Sequence, residues 1–163
     1  MHQLEGSHTA RGIRFALVVS RYHEFVTDRL AAGALEALTA AGVSPDDLAM
    51  VKVPGAFEIP LAAQRAAETR RFGAVICLGC LVRGATPHFE YISAAVAQGL
   101  TGAAAATGVP MTFGVLTTNS IEEAIERAGA GSANKGWEAA MAAVEMATLL
   151  KRFDAPATPG IRV

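Results

Sequence analysis

"AVICLGCLVRGATPHFEY" spans residues 74–91, and its two halves obey different rules. Residues 74–82 are a continuous apolar run of Val, Ile, Leu, Cys, Ala and Gly, short enough for a strand covered on both faces. Arg83, Gly84, Ala85, Thr86 and Pro87 break the run, and His88 follows at once. Thr86 suits the N-cap and Pro87 the first helical position, so the spacing predicts a third helix from near Thr86 to about Thr107, with His88 in its first turn. A doubly buried strand feeding a helix is part of a βαβ unit, and the rest of the chain repeats it.

Upstream, "RFALVVS" (14–20) is a second buried-type strand. The stretch "EFVTDRLAAGALEALTAAG" (24–42) is helical, because Phe25, Leu30, Leu35 and Leu38 fall near one face and Gly42 supplies a stop. "SPDD" turns the chain into "LAMVKV" (48–53), and "PGAFEIP" (54–60) leads into the helix "LAAQRAAETRR". Downstream come the strand "VPMTFGVLTT" (109–118) and a short helix, "IEEAIERAG", begun by Asn119 or by a Ser120-x-x-Glu123 capping box. "GSANKG" leads to the last helix, "WEAAMAAVEMATLLKRF". The alternation predicts one three-layer, doubly wound α/β domain over residues 13–153, with a parallel four-stranded sheet and helices on both faces. Residues 1–12 read as a flexible polar tail and residues 154–163 as a loose Pro/Gly-rich one.

The chain has 163 residues, a formal net charge of −1 and a pI near 6.4, so it shows no electrostatic footprint for nucleic acid or an anionic membrane. Its longest apolar run is about half a membrane span, and "MHQLEGSHTARG" lacks the apolar stretch of a signal peptide. The expectation is a soluble cytoplasmic protein. Yet 52% of the residues are hydrophobic, and from Tyr91 to Ile121 there is no Asp, Glu, Lys, Arg or His. A helix such as "YISAAVAQGLTGAAAATG" has no charged face to offer water, which predicts that neighbouring subunits cover it.

In an open parallel sheet, ligands bind beyond the carboxyl ends of the strands. The unusual residues cluster there, in "SRYHE", "PGAFE", "RGATPH" and "TTNS". At a helix N-terminus the dipole disfavours imidazolium, so His88 could stay neutral and accept a proton beside backbone N–H groups able to seat an anion. Equally, it could simply pack or cap. Arg127 complements the dipole in a last turn, and Glu58 does so in a first turn. Lys135 is unfavourable at the start of the last helix unless an anion or Glu138 is near. Tyr22 and Phe113 lie on the ligand rim, where an aromatic can stack on a flat ring or merely pack. Cys77 and Cys80 resemble a redox pair but lie within a strand, and their odd separation sends them to opposite faces. No second ligand pair supports a metal, and no glycine-rich nucleotide motif or G-x-S-x-G is present.

Together, "SRYHEFVTDRLAAGALEAL", "VPGAFEIPLAA", "LVRGATPHFEYI", "GVLTTNSIEEAIERAG" and "NKGWEAA" resemble the lumazine synthase family from about Ile13 to Phe153. The resemblance implies a flavodoxin-like fold and an active site between adjacent subunits of a pentamer. It implies condensation of 5-amino-6-(D-ribitylamino)uracil with 3,4-dihydroxy-2-butanone 4-phosphate, releasing phosphate and water, without a cofactor. By motif match, His88 would transfer protons and Tyr22 would stack on the pyrimidine. Ala56, Phe57 and Glu58 would bind the ribityl chain and ring, and Cys80, Leu81 and Val82 would line the pocket. Ala85 and Thr86 would hold the phosphate. Phe113 and Arg127 would come from the neighbouring subunit, with Lys135 close by. The short "GAGSANKG" linker resembles that of members whose twelve pentamers form sixty-subunit shells, and riboflavin synthase is a further partner that the family suggests. Several positions depart from the usual pattern: Tyr22 for Phe or Trp, His23 for Asn, Cys80 for Ala, Ala85 for an acid and Gly131 for Lys. A non-catalytic shell or flavin-binding paralogue is the alternative, and a different sugar-phosphate enzyme fits the residues alone.

Overall fold

The computed structural model describes residues 3–154. Its strands are β1 (Phe15–Ser20), β2 (Leu48–Val53), β3 (Ala74–Val82) and β4 (Met111–Thr118). Its helices are α1 (Glu24–Ala40), α2 (Ile59–Glu68), α3 (His88–Thr107), α4 (Ile121–Arg127) and α5 (Lys135–Asp154). The sheet has the order β2-β1-β3-β4 and every pairing is parallel, which gives the expected flavodoxin-like arrangement.

Strand alternation divides the core in two. Phe15, Leu17 and Val19 of β1, with Ala74, Ile76, Leu78 and Cys80 of β3, pack under α1, α4 and α5. Ala16, Val18, Val75 and Cys77 pack on the other face with α2 and α3. The two cysteines are therefore on opposite faces, as their spacing predicts, and both are free. Burial with no nearby charge pushes the Cys77 thiol up to about 12 and the Cys80 thiol up to about 11, the reverse of a reactive thiolate.

Two sequence expectations are altered. The first concerns the amino-terminal segment. Residues 3–12, read as a loose tail, lie against the helices: Ser7 N donates to Thr148 Oγ1 at 2.8 Å and Ala10 N donates to the Ala41 carbonyl at 2.9 Å. Ala10 is buried, and Gly6 passes so close to the Glu145 carbonyl that a Cβ would not fit. The other tail reading falls on residues 155–163, outside the described residues, while Asp154 is the last residue of α5. The second concerns Thr86. The first helical bond of α3 runs from Tyr91 N to the Pro87 carbonyl, so Pro87 is the cap residue and Thr86 is not. Pro87 carries no side-chain cap, and the Thr86 hydroxyl bonds to none of the described groups.

Of the 20 residues of α3, only Val96, Leu100 and Ala103 are buried. From Tyr91 to Thr107 α3 carries no charged side chain, and most of this stretch is thus left open. Among the described residues, no helix is long and apolar enough to cross a membrane.

Candidate active site

The strand order reverses between β1 and β3, and beyond their carboxyl ends lies a cleft of about 470 Å³. Tyr22 and His23 enter it after β1, and Gly55, Ala56, Phe57 and Glu58 after β2. Cys80, Leu81 and Val82 line it from the end of β3, and Gly84, Thr86, His88, Phe89 and Ile92 from the loop and helix that follow. Three of the four rim loops expected at the site meet here. The fourth, "TTNS" after β4, lines no part of this cleft.

Local chemistry explains each placement. Arg21 N donates to the Val53 carbonyl at 2.8 Å, carrying the sheet one residue past β1. His23 then takes a left-handed conformation, φ 57 and ψ 49, and its carbonyl accepts the first bonds of α1 from Val26 N and Thr27 N. Such a conformation is uncommon outside Gly, and His is among the few residue types, with Asn and Asp, that adopt it more readily. It turns the imidazole edge-on to Tyr22, with ring centroids 4.6 Å apart. Tyr22 is 65% exposed, so its face is free to stack. A 3-10 turn over Ala56–Glu58 introduces α2, with Ala56 buried and Phe57 58% exposed. His88 is the first residue of α3 and exposed, as its position in the sequence predicts. Ala85 lies in the exposed loop between Gly84 and Thr86 but is not among the lining residues.

Phe113, Arg127 and Lys135 stand elsewhere. They line a second cleft of about 420 Å³ between β4, α4 and α5, which shares no residue with the first. Among the described residues, Arg127 Nη1 makes only a 3.3 Å bond, to the Glu123 carbonyl, and its helix starts with half of the expected box: Glu123 N donates to Ser120 Oγ at 3.2 Å, while the Glu123 carboxylate accepts from Asn119 N rather than from Ser120 N. Lys135 donates to both Glu138 carboxylate oxygens, at 2.7 and 2.8 Å, which resolves its unfavourable place at a helix start.

The family model for 6,7-dimethyl-8-ribityllumazine synthase matches residues 12–151. The chain belongs to this family. A protein of Syntrophus aciditrophicus (strain SB) named 6,7-dimethyl-8-ribityllumazine synthase is 55% identical over 149 residues, 91% of this chain and 97% of its own. One of Desulfatibacillum aliphaticivorans with the same name is 47% identical over 150 residues, 92% of this chain and 97% of its own. The lumazine synthase family thus covers the whole sheet and every helix that carries a cleft residue.

Sequence reasoning passed over two side chains that fix helix starts near these clefts. Asn134 is buried at 2% exposure and caps α5 through Gly136 N at 2.8 Å. Its signal was available, since Asn is a favoured N-cap directly before a helix. Arg83 reaches Asn119 and Glu90. Its own helix-start amide and the Arg83 guanidinium hold the Glu90 carboxyl below the usual value of 4.5. Among the described residues, no three His, Cys, Asp or Glu side chains are grouped to hold a metal.

Proposed function

We propose that this chain condenses 5-amino-6-(D-ribitylamino)uracil with 3,4-dihydroxy-2-butanone 4-phosphate to 6,7-dimethyl-8-ribityllumazine, with release of phosphate and water. It is a transferase of riboflavin biosynthesis. Membership of the lumazine synthase family across residues 12–151 carries this reading. Incubating the protein with both substrates and following lumazine fluorescence tests it, and a non-catalytic paralogue would give no signal.

The residue roles follow from chemistry and placement. An amine attacks a ketone, phosphate leaves and the ring closes, and every step moves a proton. His88, exposed at the mouth of α3 and within the cleft, takes and returns those protons. Tyr22 stacks on the pyrimidine, and Ala56, Phe57 and Glu58 take the ring and ribityl chain. Cys80, Leu81 and Val82 form the cleft floor. Ala85 and Thr86 hold the phosphate through backbone and hydroxyl, and the Thr86 hydroxyl is free of helix capping. No cofactor takes part.

Phe113, Arg127 and Lys135 complete the site from the adjacent subunit of a pentamer, Arg127 on the phosphate. Two observations support this. These residues line a separate cleft of the same chain, and the charge-free part of α3, from Tyr91 to Thr107, leaves most of its surface open. Tyr22, Phe57, Leu61 and Tyr91 are each more than half exposed, which fits a subunit that buries them on assembly. Only residues 128–134 separate α4 from α5, a connection short enough to favour twelve pentamers in a sixty-subunit shell. The working domain is residues 13–153, it acts in the cytoplasm, and riboflavin synthase is its candidate partner. Light scattering or negative-stain microscopy distinguishes pentamer, decamer and shell.

A further inference from the structure

We propose that Arg83 is a positioning residue for the condensation, bracing the loop that carries Thr86 and His88 against β4 and α4. The inference rests on the placing of the phosphate seat and His88 in that loop.

Arg83 is fixed at its backbone, where its N–H donates to the Thr118 carbonyl at 2.9 Å and extends the β3–β4 ladder past Val82. Its side chain then spans the loop. Nε donates to Asn119 Oδ1 at 3.1 Å, Nη1 donates to Glu90 Oε1, and the guanidinium carbon lies 4.5 Å from the Phe89 ring centroid. The Asn119 anchor is itself tied down, because its N–H donates to Glu123 Oε2 at 2.9 Å in the first turn of α4. Phe89 and Glu90 belong to the first turn of α3, and Phe89 is on the cleft wall. One planar group therefore joins the loop after β4 to the start of α3.

The loop between those anchors has little else to hold it. Residues 84–88 are all exposed, and residues 84–86 make no hydrogen bond to any described residue. The rim loop "TTNS", which lines no part of the cleft, thereby serves the site from behind as the anchor of the brace. A lysine could reach one acceptor but offers neither the second fixed donor nor a flat face for Phe89. Arg83 and Glu90 side chains are 46% and 50% exposed, and such a pair contributes little to stability. Its loss should leave the fold intact and appear in the reaction.

The test uses the assembled protein. Arg83→Met should keep the parent's assembly size and unfolding midpoint, raise KM for the phosphorylated ketone and lower kcat, each roughly ten-fold. KM for the pyrimidine should stay within about two-fold. Arg83→Lys should recover part of the loss. Glu90→Gln should reproduce part of it and add nothing to Arg83→Met, as residues acting through one contact do. Parental kcat and ketone KM in Arg83→Met overturn the inference. If Arg83→Met does not fold, Glu90→Gln decides, and parental kinetics there overturn it. His88→Ala is measured alongside. If His88→Ala slows turnover while Arg83→Met does not, only the brace falls; if His88→Ala is unimpaired, the reading of the loop falls with it.

Discussion

Asn134 Oδ1 accepts a hydrogen bond from Gly136 N at 2.8 Å, and the same amide side chain donates to the carbonyls of Arg29 at 3.1 Å and Gly129 at 2.7 Å. One buried residue thus starts α5, ties it to α1 and closes the turn after α4. Gly136 completes the joint, because a Cβ there would overlap the Leu30 carbonyl. Lys135 sits between the two, so its position depends on theirs. Asn134→Ala removes a cap and leaves two carbonyls without their donor, at a combined cost of about 2–4 kcal/mol. A denaturant midpoint equal to the parent's would contradict this.

His88→Ala should slow turnover by roughly 10²–10⁴-fold without abolishing it. The cleft would still hold both reactants, and holding them together contributes more than the proton transfer does. The measurement is kcat at saturating substrates. Complete loss of turnover with substrate binding intact would refute it.

Among the described residues, Arg127 has only a weak bond to its own helix, so its guanidinium is available to a phosphate. A charge-assisted bond of this kind contributes about 1.5–3 kcal/mol, hence Arg127→Ala should raise KM for the phosphorylated ketone roughly ten- to a hundred-fold. An unchanged KM would remove Arg127 from the site.

The charge-free stretch of α3 from Tyr91 to Thr107 makes a different forecast. Ala97 is exposed on that helix, and Ala97→Glu would place a carboxylate on a face that the proposed assembly would cover. Sedimentation should show smaller particles at equal concentration. Sedimentation identical to the parent would mean that this face meets water.

Two pH effects follow from the charges. Glu90 has its carboxyl held below 4.5, so its pairing with Arg83 contributes fully above that pH and is lost as pH falls below it. Ketone KM of the parent should climb toward that of Glu90→Gln only below 4.5, and a climb already complete at higher pH would contradict the assignment. The Cys77 thiol moves the other way. Its folded value of about 12 lies above the ordinary 9.0, so its contribution to stability is present below 9.0 and is lost as pH rises toward 12. Cys77→Val should flatten the alkaline fall in unfolding midpoint.

The legible part of this protein is set by local, periodic physics. The apolar runs 14–20 and 74–82, the Ser120 cap and the odd spacing of Cys77 and Cys80 fix strand, cap and face without reference to anything distant, and the structure repeats them. The motifs around Tyr22, Phe57 and His88 likewise placed their loops on one rim, because a parallel sheet sends every strand's carboxyl end the same way. Packing between distant segments settled the rest. It laid residues 3–12 on α1 and α5, and put Arg83 within reach of Asn119, which is 36 positions away in the chain. It also separated Phe113, Arg127 and Lys135 from His88. Contacts of this kind depend on which elements the folded chain brings side by side, and no local pattern of residues encodes that distance.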